Sequence, residues 1–180
     1  HVDQGRTRPD KCCVQGVMLF TDATKHTGGL VVIPGSHKEF AAVIDRNATY
    51  SNSDYVPLST WDPILADGSA GMVCAQAGDL LLWDSRTVHC NAPGICNGAG
   101  GDEAADLLRI AGYVCMTPAA WASPRVLELR RKAFESKQTT THWPHTFCAT
   151  GDGLAEASGR VGSFSAAPAE VRTLVDGRYL

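Results

Sequence analysis

The sequence has no C-x-x-C pair, no long apolar run and no long basic stretch, and each absence removes a class of protein. Its seven cysteines, at positions 12, 13, 74, 90, 96, 115 and 148, are odd in number and irregular in spacing. A disulfide framework or a structural zinc site needs paired, regular spacing. The expectation is a reduced chain, intracellular and cytoplasmic. No stretch approaches the roughly 18 apolar residues of a membrane span. Sixteen basic against nineteen acidic residues leave a formal charge of −3. Nucleic acid and anionic membranes are therefore poor partners. No initiator methionine and no signal peptide stand at the start, so the sequence reads as a fragment that begins inside a larger protein. No motif fixes an oligomeric state.

What is present suits one globular domain. The chain has 180 residues, 44% hydrophobic and 19% charged, enough to bury a core. The runs 12–20 (CCVQGVMLF), 28–34 (GGLVVIP), 71–77, 79–85 and 107–118 read as short strands bounded by turn formers. Residues 38–69 read as an irregular polar insertion, and 97–106 as a Gly-rich acidic loop without the order of a phosphate cradle. One helix stands out: Ser123 as N-cap, Pro124 at the first helical position, then RVLELRRKAFESK. Residues 148–180, rich in Gly, Ala and Ser, read as a loosely packed tail. Short strands with one late helix predict a mainly β sandwich or barrel.

The chain opens HVDQG. In an extended strand, side chains at i and i+2 share a face, so His1 and Asp3 can offer an imidazole and a carboxylate to one ion. These are two members of a 2-His-1-carboxylate triad. GDLLLWDSRTVHCNAPG supplies His89 where an apolar run gives way to a turn. Taken alone, His89 reads more simply as a histidine satisfied by hydrogen bonds. Arg109 follows in an apolar run expected to be an inner strand, where a buried cation needs an anionic partner. A dicarboxylic cosubstrate would meet that need through a two-pronged guanidinium–carboxylate pair.

HVDQ, GGLVVIPGSHK, GDLLLWDSRTVH and RIAGYVCMTP, in this order, resemble the phytanoyl-CoA dioxygenase family of Fe(II)/2-oxoglutarate-dependent oxygenases. The likeness covers residues 1 to about 147, and TTTHWPH (139–145) resembles a subgroup. It implies a double-stranded β-helix, a cupin-like jelly roll, over residues 1–147, with a C-terminal helix, long loops and the family's N-terminal part missing. It implies iron held by His1, Asp3 and His89, and 2-oxoglutarate held by Arg109. It further implies O2 as oxidant, ascorbate as a candidate reductant, and hydroxylation of a C–H bond of a small organic or acyl substrate with release of succinate and CO2.

Asn91, two residues beyond His89, reads equally as a cosubstrate-binding residue and as a turn asparagine. Gln15 is a weaker cosubstrate candidate, since a polar residue in an apolar strand more often faces outward. Trp83 reads as packing, His37 as a turn residue or one supporting the site, and His26 as solvated. His142 and His145 flank Trp143-Pro144, either closing over a site or forming a structural turn. Cys90 and Cys115 read as small apolar fillers. Two other readings compete: a copper site built on a true N-terminal histidine, disfavoured by the cysteine count and by Asp3 and Arg109, and an inactive cupin-like metal-binding module or inactive fragment.

Overall fold

The computed structural model describes residues 1–47, 54–66, 68–94, 109–138 and 140–147. The Gly-rich loop 97–106 and the tail 148–180 lie outside the described residues. The chain divides into two units, residues 1–114 and 115–180. Within the described residues the protein is built from small antiparallel sheets with few helices.

Six strands occur in chain order: β1 (Val14–Leu19), β2 (Gly29–Val32), β3 (Gly71–Met72), β4 (Leu80–Asp84), β5 (His89–Ala92) and β6 (Ala111–Met116). They form two three-stranded sheets, ordered β4-β1-β6 and β3-β2-β5. β1 and β4 pair antiparallel with Gln15 opposite Trp83 and Val17 opposite Leu81. Directly opposed residues share a face, so Gln15, Val17, Leu81 and Trp83 point the same way. Val17 and Leu19 are buried there, with Leu81 and Trp83 packed against them. On the other face Gly16 permits close approach, since a Cβ there would lie 2.8 Å from Leu82 and 3.0 Å from Val114. β2 pairs with β5, Val32 opposite His89 and Leu30 opposite Asn91. Gly28, at φ 76°, turns the chain into β2, and a Cβ there would fall 2.4 Å from the Ala92 carbonyl.

Three local expectations need correction. First, the insertion 38–69 holds, among its described residues, an α-helix, α1 (Phe40–Arg46), which follows a 3-10 turn, Ser36–Glu39, and a second 3-10 turn, Pro63–Leu65. Phe40, Val43 and Ile44 are its buried residues, at i, i+3 and i+4 spacing. They pack with Val2, Ile33, Val56, Ile64 and Val88 in one apolar cluster. Second, His89 does not end a strand before a turn. The turn comes earlier, closed by Thr87 N–H donating to Asp84 O at 2.8 Å, and His89 opens β5. Third, Arg109 precedes β6 rather than lying inside it; next to it the Ile110 N–H goes to the Thr21 hydroxyl at 2.9 Å rather than to a strand carbonyl.

In the second unit, the helix α2 (Pro124–Glu135) forms as expected, with the Ser123 hydroxyl accepting the Val126 N–H. The Arg130 guanidinium reaches the carbonyls of Thr141 and Thr146. Burial pushes its pKa down. Trp143 is buried, with the His142 and His145 rings 5.6 and 5.8 Å away. No helix among the described residues is long and apolar enough to cross a membrane.

Candidate metal centre

Backbone pairing builds the centre before any side chain takes part. Val2 exchanges both backbone hydrogen bonds with Val56, at 3.0 and 2.9 Å. On the opposite edge, His89 N–H donates to His1 O at 3.0 Å, the His1 nitrogen donates to His89 O at 3.2 Å, and Asp3 N–H donates to Ser85 O at 3.2 Å. Residues 1–3 are thus an extended segment held on both sides. Alternation does the rest. Val2 is fully buried in the α1 cluster, where burying a valine is worth about 1.5–3 kcal/mol. That forces His1 and Asp3 onto the other face. Val88 enters the same cluster and turns His89 toward them.

The outcome is a compact set of ligand atoms. One atom from each of His1, Asp3 and His89 lies within 4.8 Å of the others, the only such group of three among the described residues. His1 Nε2 is 3.5 Å from Asp3 Oδ1, and His89 Nε2 is 3.2 Å from Asp3 Oδ2. His89 is buried, and its Nδ1 lies 2.9 Å from the Thr87 carbonyl. A carbonyl only accepts, so Nδ1 carries a proton, which leaves Nε2 as the ring nitrogen that can offer a lone pair to a metal beside Asp3 and His1. Two imidazole nitrogens and a carboxylate suit Fe(II) and leave coordination positions open.

Supporting groups hold this set in place. The Gln15 amide donates to Asp3 Oδ2 at 2.8 Å. Gln15 is buried, which corrects the expectation that it faces outward. Its register opposite Trp83 puts it on the inner face of β1. Gln4 is fully buried. It accepts from the Ser85 hydroxyl at 2.6 Å and donates to the Asp10 carbonyl at 2.7 Å and to the Arg8 carbonyl. This clamps the segment after Asp3 to the turn before His89. That turn is stiffened by Asp84, bound by Arg86 Nε and Nη2 and by the Arg86 N–H. Burial alone would raise the Asp84 pKa, but these Arg86 bonds outweigh it and hold the carboxyl below its usual range. Ser36 Oγ accepts the Val88 N–H at 2.8 Å. Tyr55 stacks 4.8 Å from the His1 ring, and Trp83 lies 5.4 Å from that of His89.

The other predicted residues sit as follows. Asn91 is exposed on β5 and accepts from the Tyr113 hydroxyl at 3.0 Å. Arg109 is half-buried, its Nη1 4.0 Å from where a Gly29 Cβ would stand. His37 lies in the 3-10 turn, and His26 is exposed. Cys90 is exposed and so is no filler. Asn47, which begins an N-A-T sequon, is buried with its amide nitrogen donating to Val43 O and Asp62. Sequence reading missed Gln4, Tyr55, Thr87 and Ser85. Gln4 had a signal, a polar residue directly after H-x-D, while Tyr55 had none because its partner is distant in the chain.

Comparison with known proteins agrees with this geometry. The family model described as Phytanoyl-CoA dioxygenase (PhyH) matches residues 1–93. The Ava biosynthesis cluster protein O of Aspergillus versicolor is 33% identical over 156 residues, an alignment covering 81% of this chain and 48% of that protein. The chain spans about half the length of the curated relative it matches.

Proposed function

The chain belongs to the phytanoyl-CoA dioxygenase family, and from that premise we propose that it is an Fe(II)- and 2-oxoglutarate-dependent oxygenase acting on a C–H bond of a small organic substrate. The observation that carries the reading is the gathering of His1, Asp3 and His89 within 4.8 Å. His1 Nε2, the Asp3 carboxylate and His89 Nε2 would hold the metal. Bound there with 2-oxoglutarate and O2, Fe(II) supplies an oxidation that converts C–H to C–OH and the cosubstrate to succinate and CO2.

The chain's own residues position and exclude. Thr87 O fixes the His89 tautomer, and the Gln15 amide fixes the Asp3 carboxylate; outer partners of this kind orient ligands and tune affinity. Arg109 is the proposed partner for the distal carboxylate of 2-oxoglutarate, and Asn91 a further hydrogen-bonding group. Two three-stranded antiparallel sheets support reading the domain as part of a double-stranded β-helix.

The test is anaerobic addition of Fe(II), then 2-oxoglutarate, to the purified chain. A visible charge-transfer band of the chelated keto acid is expected, absent in His89→Ala and weakened in Arg109→Ala. A folded chain with no band would overturn the reading.

A further inference from the structure

A side-chain hydrogen bond that the metal centre does not use joins the two sheets. The Tyr113 hydroxyl, on β6, donates to Asn91 Oδ1, on β5, at 3.0 Å. β6 belongs to one sheet and β5 to the other. Asn91 lies two residues beyond His89 on β5, so the two share a face. Ala111, two residues before Tyr113 on β6, packs against the buried Val17, Leu19 and Ala23. Alternation turns Tyr113 to the same side. Gln15, which holds the Asp3 carboxylate, shares its face of β1 with Val17. Val114 points the other way, its side chain 3.0 Å from where a Gly16 Cβ would stand. The Tyr113–Asn91 bond thus runs between the faces that carry Gln15 and His89.

The direction of this bond decides what Asn91 can bind. An amide has one acceptor, Oδ1, and two donor hydrogens on Nδ2. Turning about its last bond, an unheld amide presents either end. The Tyr113 O–H occupies Oδ1, which fixes the amide and leaves Nδ2 as the end that meets a ligand. A carboxylate only accepts, so an amide held this way always faces it with N–H. Both side chains are exposed, Tyr113 at 56%, and a ligand can reach them. Arg109, another group that only donates, ends close by. Its Nη1 lies 4.0 Å from where a Gly29 Cβ would stand, and Gly29 pairs with Ala92, the residue after Asn91. Two donor groups at one end of the β2–β5 pair suit an anionic cosubstrate.

We infer that Tyr113 is a positioning residue: it acts through Asn91, fixing the amide so that Nδ2 donates to a carboxylate of 2-oxoglutarate. The inference rests on the oxygenase reading and adds to it the residue that sets which atom Asn91 offers.

The test is the dissociation constant of 2-oxoglutarate, read anaerobically from the charge-transfer band of the Fe(II)-loaded full chain. Tyr113→Phe keeps the ring, removes the O–H and weakens binding about 3- to 10-fold. Asn91→Asp, which puts an acceptor where a donor is needed, weakens it at least about 30-fold. In an Asn91→Ala background, Tyr113→Phe changes affinity by less than about twofold, because the two residues act as one unit. Co(II) affinity and the thermal midpoint stay the same in Tyr113→Phe. Unchanged cosubstrate affinity in Tyr113→Phe, or an equal loss in both backgrounds, overturns the inference. So does a parallel fall in Co(II) affinity, which would make Tyr113 a scaffold residue. A band in the natural chain whose affinity ignores Tyr113→Phe overturns this inference alone. No band in the folded natural chain overturns the oxygenase reading and this inference with it.

Discussion

Asp3 and Asp62 are both carboxylates surrounded by nitrogen, and the kind of nitrogen separates their roles. Asp62 is buried and accepts from Arg46 Nε and Nη2 at 3.1 and 2.8 Å, Asn47 Nδ2 at 2.7 Å and Ile64 N at 3.0 Å. Every one of these is an obligate donor, so the cluster is a closed lock that ties α1 to the 3-10 turn at Pro63–Leu65. Asp3 accepts from Gln15, an obligate donor, and also faces two imidazole Nε2 atoms. Imidazole nitrogen presents a proton or a lone pair. The same carboxylate can therefore exchange a proton-mediated contact for a shared cation. A carboxylate held only by fixed donors stabilises a fold; one that faces imidazole nitrogens can trade a proton for a metal ion.

The widest separation should come from Asp3→Ala. It abolishes binding of Co(II), a visible stand-in for Fe(II), while thermal unfolding shows a loss of about 1–3 kcal/mol, because the buried Gln15 amide loses its acceptor. A large loss of stability with Co(II) binding intact would erase the distinction. Asp62→Ala should do the reverse. It strands the buried Asn47 amide and the Ile64 N–H and costs about 2–4 kcal/mol in denaturant unfolding, with Co(II) affinity per folded molecule unchanged.

A smaller effect is expected from Gln15→Leu, which keeps all three ligands but frees the Asp3 carboxylate to rotate. Co(II) affinity falls about 10- to 100-fold, read by the same absorbance titration. Unaltered affinity would mean that the Gln15 bond does not position the ligand.

The subtlest contrast lies in acid. Burial would raise the Asp62 pKa, but Arg46, the Ile64 N–H and Asn47 outweigh it and hold it below the ordinary 3.8. Because the folded value lies under the unfolded one, Asp62 contributes its full stability above the ordinary value. That contribution disappears as pH falls through the folded value. Unfolding midpoints measured below pH 4 should drop more steeply in the natural chain than in Asp62→Asn. Parallel profiles would show that Asp62 carries no such linkage.

Much of the candidate site was readable from local spacing. H-x-D names two ligands because strand alternation is a property of the backbone. The β1, β2 and β4 runs were legible because β-branched and leucine-rich segments between glycines have few alternatives. α1 was hidden because its apolar triplet is only one turn long within a polar stretch. β5 was hidden because His-Cys-Asn-Ala carries little strand propensity of its own. It becomes a strand by pairing with β2.

The sequence by itself determined which chemistry the chain offers: two histidines and an aspartate at set positions, an arginine downstream, and apolar runs long enough to make sheets. Only the tertiary structure decided that they meet. Nothing local joins residue 1 to residue 89; their backbone pair forms because Val2 and Val88 are buried in one apolar cluster, and hydrophobic burial acts on any residues brought together, whatever their distance along the chain. The same holds for Gln15 and Trp83, whose opposition depends on the β1–β4 register, and register is set by which faces are buried.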